Sequence, residues 1–161
     1  MQAEGDMAQH GRTEPERPRL TIDAGRLWAG GAATAVVAGL VAVVGVVISE
    51  GILDIKMVRP QYLLDVSDTF AVNYALTAAL AALVATGLAH LLVFTTPRPQ
   101  AFYSWIVGLA TAVAVALPFA QDADTDGQVS TAVVNLVIGI SIMTLIASVV
   151  GRTVTSSEPT T

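Results

Sequence analysis

The sequence predicts an all-α protein in which four transmembrane helices form an antiparallel bundle between polar N- and C-terminal tails. Three observations predict it. Only 13% of the 161 residues are charged and 53% are hydrophobic, whereas soluble domains carry about a quarter charged residues. The charges cluster at the ends and in the connections, which leaves four long runs without any. A soluble protein would need polar-faced helices outside such runs to meet water, and the chain has no residues left over for them.

Each run is long enough to cross a hydrocarbon core about 30 Å thick, which takes roughly 20 residues rising about 1.5 Å each. The first is residues 27–49, between Arg26 and Glu50. The second is 70–94, after Asp68 and before Pro97. The third is 101–120, between Arg98 and Asp122, and the fourth is 129–150, between Asp126 and Arg152. Together they make a transmembrane domain over residues 27–151. Residues 1–26 are rich in Pro, Gly and charge and read as a disordered tail. They lack the early apolar stretch of a signal peptide, so the first span reads as retained. Residues 152–161 form a second polar tail.

Basic residues set the orientation, because they accumulate on the cytoplasmic side. Arg12, Arg17, Arg19 and Arg26 precede the first span, Arg98 lies in the second connection and Arg152 in the C-terminal tail. Only Lys56 and Arg59 fall on the other side. Both termini are therefore expected in the cytoplasm. Aromatic residues favour membrane interfaces and agree. Trp28, Phe94, Phe102, Tyr103 and Trp105 fall near one face, and Tyr62, Phe70, Tyr74 and Phe119 near the other.

The second connection, Thr95 to Pro99, is short. Pro97 cannot continue a helix and Pro99 suits the first turn of the next, so spans two and three should form a tight hairpin. Pro118 should bend or end span three near its outer end. The first connection carries Ile52, Leu53, Ile55, Leu63 and Leu64 and should lie against the bundle or bilayer surface. Small residues let helices approach closely in lipid. The expected seams are Gly31, Ala35 and Gly39; Ala71, Ala75 and Ala79 with Ala81, Ala85 and Ala89; Ser104, Gly108, Ala112 and Ala116; and Thr131, Asn135 and Gly139.

Chemistry is scarce. Cysteine is absent and only His10 and His90 are present, which removes thiolate, iron–sulfur and His-based metal chemistry. No basic stripe suggests nucleic-acid binding. Asp122, Asp124 and Asp126, followed by Gly127, resemble the start of an EF-hand loop. Val133 stands where that loop needs a bidentate Glu, so a solvated acidic turn is preferred over a weak outward calcium site. Asp126 would then cap span four. His90 is the one strongly ionisable residue within a span and invites a functional reading. Its place one turn before Phe94 suits a structural or interfacial role over proton transfer. Asn73 and Asn135 are expected to bond across helices rather than to bind substrate. Ser141, Thr144 and Ser148 should bond their own backbone. No nucleophile stands with a base, so an enzyme is not expected, nor is any cofactor or resident metal.

The segments RLWAGGAATAVVAGLVAVVGVVI, FYSWIVGLATAVAVALPF and VVNLVIGISI resemble a family of small actinobacterial four-helix membrane proteins known as a domain of unknown function. The resemblance covers Arg26 to Gly151. It implies a bacterial plasma-membrane location and supplies neither an activity nor functional residues. The expectation is a non-enzymatic accessory or regulatory subunit that meets the lipid bilayer and a membrane-protein partner or a second copy. A subunit of a small oligomeric transporter or channel is the alternative, with His90, Asn73 and Asn135 as polar linings.

Overall fold

The computed structural model describes residues 24–59, 64 and 66–153, without the side chains of 152 and 153. Most of the two expected tails, with His10, Arg12, Arg17, Arg19 and Tyr62, lies outside the described residues. Those described are helical apart from the connections, and no strand occurs among them. α1 spans Ala24–Val46 and continues as a π-helix over Val47–Ile52. α2 spans Phe70–Thr95 and α3 spans Pro99–Ala116, with a 3₁₀ turn at Leu117–Ala120. α4 spans Thr125–Thr153. Four helices are thus long and apolar enough to cross a membrane.

The helix limits extend the uncharged runs at both ends. α1 begins three residues before Leu27 and takes in Arg26, a long side chain that can run alongside apolar surface while its charge stays wet. At its far end it passes Glu50 by widening into π turns. The chain then stops at Asp54, whose φ of 54° is left-handed, a conformation Asp tolerates better than most residues. The Ile55 amide closes back onto the Ser49 carbonyl at 2.8 Å. α2 agrees with the expected span to one residue. Pro99 opens α3, and ahead of Pro118 that helix tightens into the 3₁₀ turn. α4 starts four residues before Val129 and so includes Asp126.

Contacts fix the registers. Gly31 faces Thr86 and Gly39 faces Ala75, so numbers rise along α1 as they fall along α2. Gly30 against Val149 and Gly45 against Val134 give the same sense between α1 and α4. Gly139 against Thr111 and Gly151 against Gln100 relate α4 to α3 in that way too. At Gly31 and Gly139 a methyl would collide with a threonine side chain. The lack of a Cβ is what lets these pairs come so close.

The exterior differs from that of a soluble bundle, because it is as apolar as the core. α1 and α2 contribute mostly alanine to the core, including Ala38, Ala42, Ala82 and Ala89 beside Thr34 and Thr86, whereas α4 contributes Val134, Ile138, Ile142 and Ile146 with Thr131. Large side chains such as Val36, Val84, Leu91, Trp105 and Leu109 point outward. Of the seams read from sequence, those of α1 and α4 lie in or beside the core. In α2, Ala85 and Ala89 are buried, Ala71, Ala75 and Ala79 are half-buried, and Ala81 is exposed. In α3 the expected seam is on the wrong face. Ala112 and Ala116 are exposed, and space beside Gly108 is open, while Tyr103 and Val107 are the buried residues. α3 rests mainly on α4 and only lightly on α2, so the turn between α2 and α3 is tight but the hairpin is not.

The described part of the first connection is seated as expected, though by different residues. Met57 and Val58 are buried, whereas Ile52 and Leu53 are exposed. The Val58 amide donates to Thr131 Oγ1 at 2.9 Å, and the Met57 amide to Glu50 Oε1 at 3.3 Å. Gly127 leaves room for the Lys56 carbonyl, which a Cβ there would strike.

Candidate functional site

The polar side chains within the helices are mostly engaged, each in a traceable way. Asn135, ten residues into α4, donates through Nδ2 to the Ala114 carbonyl of α3 at 2.7 Å. Its Oδ1 accepts from the Tyr74 hydroxyl of α2 in a short hydrogen bond. One amide therefore ties three helices. In an apolar surround such groups are retained because the alternative is an unpaired dipole. Tyr74 is a partner the sequence reading missed. Its phenol looked like an interfacial anchor one turn into α2, and nothing local in sequence joins it to a residue 61 positions away.

Asn73 behaves differently from the expectation. Its Oδ1 accepts from the amides of Val66 and Ser67 at 3.1 and 2.9 Å, and its Nδ2 donates to the Ser67 carbonyl at 2.6 Å. The amide folds the chain entering α2 and reaches no other helix through these bonds. A short polar side chain in the first turn competes well for nearby backbone groups. Ser141, Thr144 and Ser148 donate to the carbonyls of Val137, Ile140 and Leu145, as read from sequence.

His90 is half-buried near the end of α2 that leads into the second connection. Its ring stands edge-on to Phe94 at 5.0 Å and tilted 6.3 Å from Trp28 of α1. Its Nδ1 and the Tyr103 hydroxyl are buried without a hydrogen-bond partner among the described residues. Tyr103 is turned inward rather than displayed at an interface, with 2% of its surface exposed. At the opposite end Phe70 stacks on Tyr74 at 5.5 Å, and the Arg59 guanidinium lies 5.0 Å from the Phe70 ring.

Asp122, Asp124 and Asp126 are all exposed and do not adopt a cation-loop shape. Helix begins at Thr125, so Asp126 sits within the first turn instead of capping it. There its charge still suits the helix dipole. Gly127 is helical and serves the Lys56 contact instead of a sharp turn. Among the described residues no group of three His, Cys, Asp or Glu side chains is placed to hold a metal ion.

Two grooves open on the sides of the bundle. A cleft of about 430 Å³ separates α2 from α3 over α4, with Tyr74, Thr77, Thr111 and Asn135 along apolar walls. A larger groove of about 740 Å³ lies between α1 and α4. Val37, Val44, Val133 and Val137 are among its walls, and Ser49, Ser130 and Asp126 lie at its end nearest the first connection. The Ser49 and Ser130 hydroxyls share a hydrogen bond of 2.6 Å across the two helices. Asn73, Asn135 and His90 do not come together. Asn135 lines the α2–α3 cleft, and neither Asn73 nor His90 lines either groove.

A family model matches residues 22–152, the whole four-helix region, and carries the description of a family of unknown function, DUF6069. The chain belongs to that family. The match takes in every group just described, from Trp28 to Val150. No curated protein and no solved structure matches the chain. What the DUF6069 helices offer chemically is therefore read from their own residues: an apolar core, one amide joining three helices, two apolar lateral grooves and a partly exposed stripe on α3.

Proposed function

We propose that this DUF6069 chain is a multi-pass integral protein of a bacterial plasma membrane, an antiparallel four-helix bundle with both termini in the cytoplasm. It works without catalysis, as an accessory or regulatory subunit that acts through contacts between helices. The outer surface supports the membrane part, because exposed Val, Leu, Ile and Trp along all four helices suit lipid and not water. The actinobacterial likeness of the sequence supports the location, and the distribution of arginine and lysine supports the orientation.

One observation carries the interaction role. The stripe of Ser104, Gly108, Ala112 and Ala116 is a small-residue face of α3 that its own bundle leaves half-buried at Ser104 and Gly108 and exposed at Ala112 and Ala116. Small residues at four-residue spacing admit another helix at short range. A partner helix, from another membrane protein or from a second copy, fits that surface. A transporter or channel subunit has less support, since Asn73, Asn135 and His90 share no cavity.

The chain has no cysteine, so a photoreactive probe can be placed on a single introduced thiol. Probes at Gly108→Cys or Ala112→Cys in native membranes should give a reproducible protein adduct, and one at the outward Val36→Cys should not. Absence of any adduct, or equal labelling from position 36, would defeat the interaction role. Reporter fusions at Gln61 and Thr125 should read outside, and those at Pro97 and the C-terminus inside.

A further inference from the structure

The groove between α1 and α4 has a chemistry that the α3 stripe lacks. Its walls are branched and bulky, with Val37, Leu40 and Val44 opposite Val129, Val133 and Val137. Gly45 against Val134 brings the two helices close at its floor. Such walls leave a trough suited to flexible hydrocarbon, not the flat small-residue surface a helix backbone needs. From Val37 to Ser49 the trough runs about 18 Å at about 1.5 Å per residue. That is close to one leaflet of a core about 30 Å thick.

The end nearest the first connection is polar. It holds the Ser49 and Ser130 hydroxyls and the exposed Asp126 carboxylate, which pairs with no described residue. Glu50, Asp54, Asp68, Asp122 and Asp124 add negative charge at this end of the bundle, against Lys56 and Arg59. Arg59 is drawn to the Phe70 ring. An anionic headgroup would be repelled there, and an ammonium attracted. The described ends of the chain cannot supply the occupant. Ala24 and Thr153 lie at the other end of α1 and α4, given the registers above.

We propose that this groove is a binding site for an ammonium-headed lipid, its acyl chain in the valine trough and its ammonium against Asp126. The site rests on the membrane reading but not on the α3 contacts, so its test leaves the crosslinking result untouched. The full chain, purified in mild detergent, would be incubated with equimolar phosphatidylethanolamine and phosphatidylglycerol of the same acyl chains. Retained lipid would be counted by native mass spectrometry. The expected result is a roughly two- to fivefold preference for phosphatidylethanolamine, within what one exposed ion pair sustains. Asp126→Asn should lower the preference at least twofold and Asp122→Asn should keep it. Val133→Trp, which fills the trough from an exposed wall position, should lower retention of both lipids while circular dichroism stays unchanged. Equal retention by the unaltered chain, a preference undiminished by Asp126→Asn, one lost in Asp122→Asn, or undiminished binding to a folded Val133→Trp would each overturn the site. Asp126→Asn changes only an exposed charge, so it decides the matter even if the tryptophan variant fails to fold.

Discussion

The closest crossing of α1 on α2 offers a sharp test of the packing. A Cβ on Gly31 would stand 2.5 Å from Thr86 Oγ1 and 2.9 Å from Thr86 Cβ, with Cγ2 nearer still. Thr86 is fully buried, and its hydroxyl donates to the Ala82 carbonyl at 2.8 Å. A helical threonine has only two favoured χ1 rotamers, so a buried one bonded to its backbone has little freedom to move aside. Gly31→Ala must therefore push the helices apart or break that bond. Overpacking of this kind costs about 1–3 kcal/mol. The better helix propensity of alanine offsets up to about 1 kcal/mol, leaving a net loss of about 0–2 kcal/mol. Thr86→Gly destabilises by itself but removes every obstructing atom. The pair together should then show a favourable coupling of about 1–3 kcal/mol, well beyond the about 0.5 kcal/mol of ordinary additivity error. Thr86→Ala should rescue only in part, since its Cβ remains 2.9 Å away. Unfolding by SDS in mixed micelles, followed by far-ultraviolet circular dichroism, gives the four stabilities. Additive effects would mean that α1 and α2 do not cross at this point.

Three further outcomes follow from the same structure. Tyr74→Phe and Asn135→Ala should couple by about 0.6 kcal/mol and by no more than about 1.7 kcal/mol, the range for hydrogen bonds between membrane helices; a zero coupling in the same unfolding assay would remove the three-helix tie. Gly127→Val should lift the first connection by displacing Lys56, speeding tryptic cleavage at Lys56 and Arg59 in detergent; unchanged cleavage would refute the seating of that segment. Millimolar calcium should leave the thermal midpoint unmoved, because Asp126 belongs to a helix and not to a loop; a saturable rise that Asp124→Asn abolishes would restore a cation site.

The number and position of the helices were legible in sequence because lipid-length runs without charge have few alternatives. The charges at their borders were a poorer guide. Arg26, Glu50 and Asp126 all lie inside helices, since a helix continues past the point where its side chains reach water. Seams were legible where small residues interrupt bulky ones, as at Gly31 and Gly139. On α3, small residues occupy two faces, and spacing alone could not tell which one α4 would cover. There Tyr103 and Val107 won the core and Gly108 was left outside. Asn135 was read rightly as a bond between helices, but Tyr74 and Ala114 became its partners only through the tertiary arrangement. Asn73 was misread because its nearest carbonyls and amides were local. The π-helical close of α1 left no sequence signal.

The lopsided support of α3 has a consequence for how the polypeptide is built. Synthesis delivers α1 and α2 first, and each is the other's main neighbour. The third helix arrives before the fourth, which bears most of its packing. Until α4 is made, α3 has only its lesser contact with α2 to rest on. The nascent chain therefore completes a two-helix core, keeps its third segment waiting, and locks it in place with the last one made.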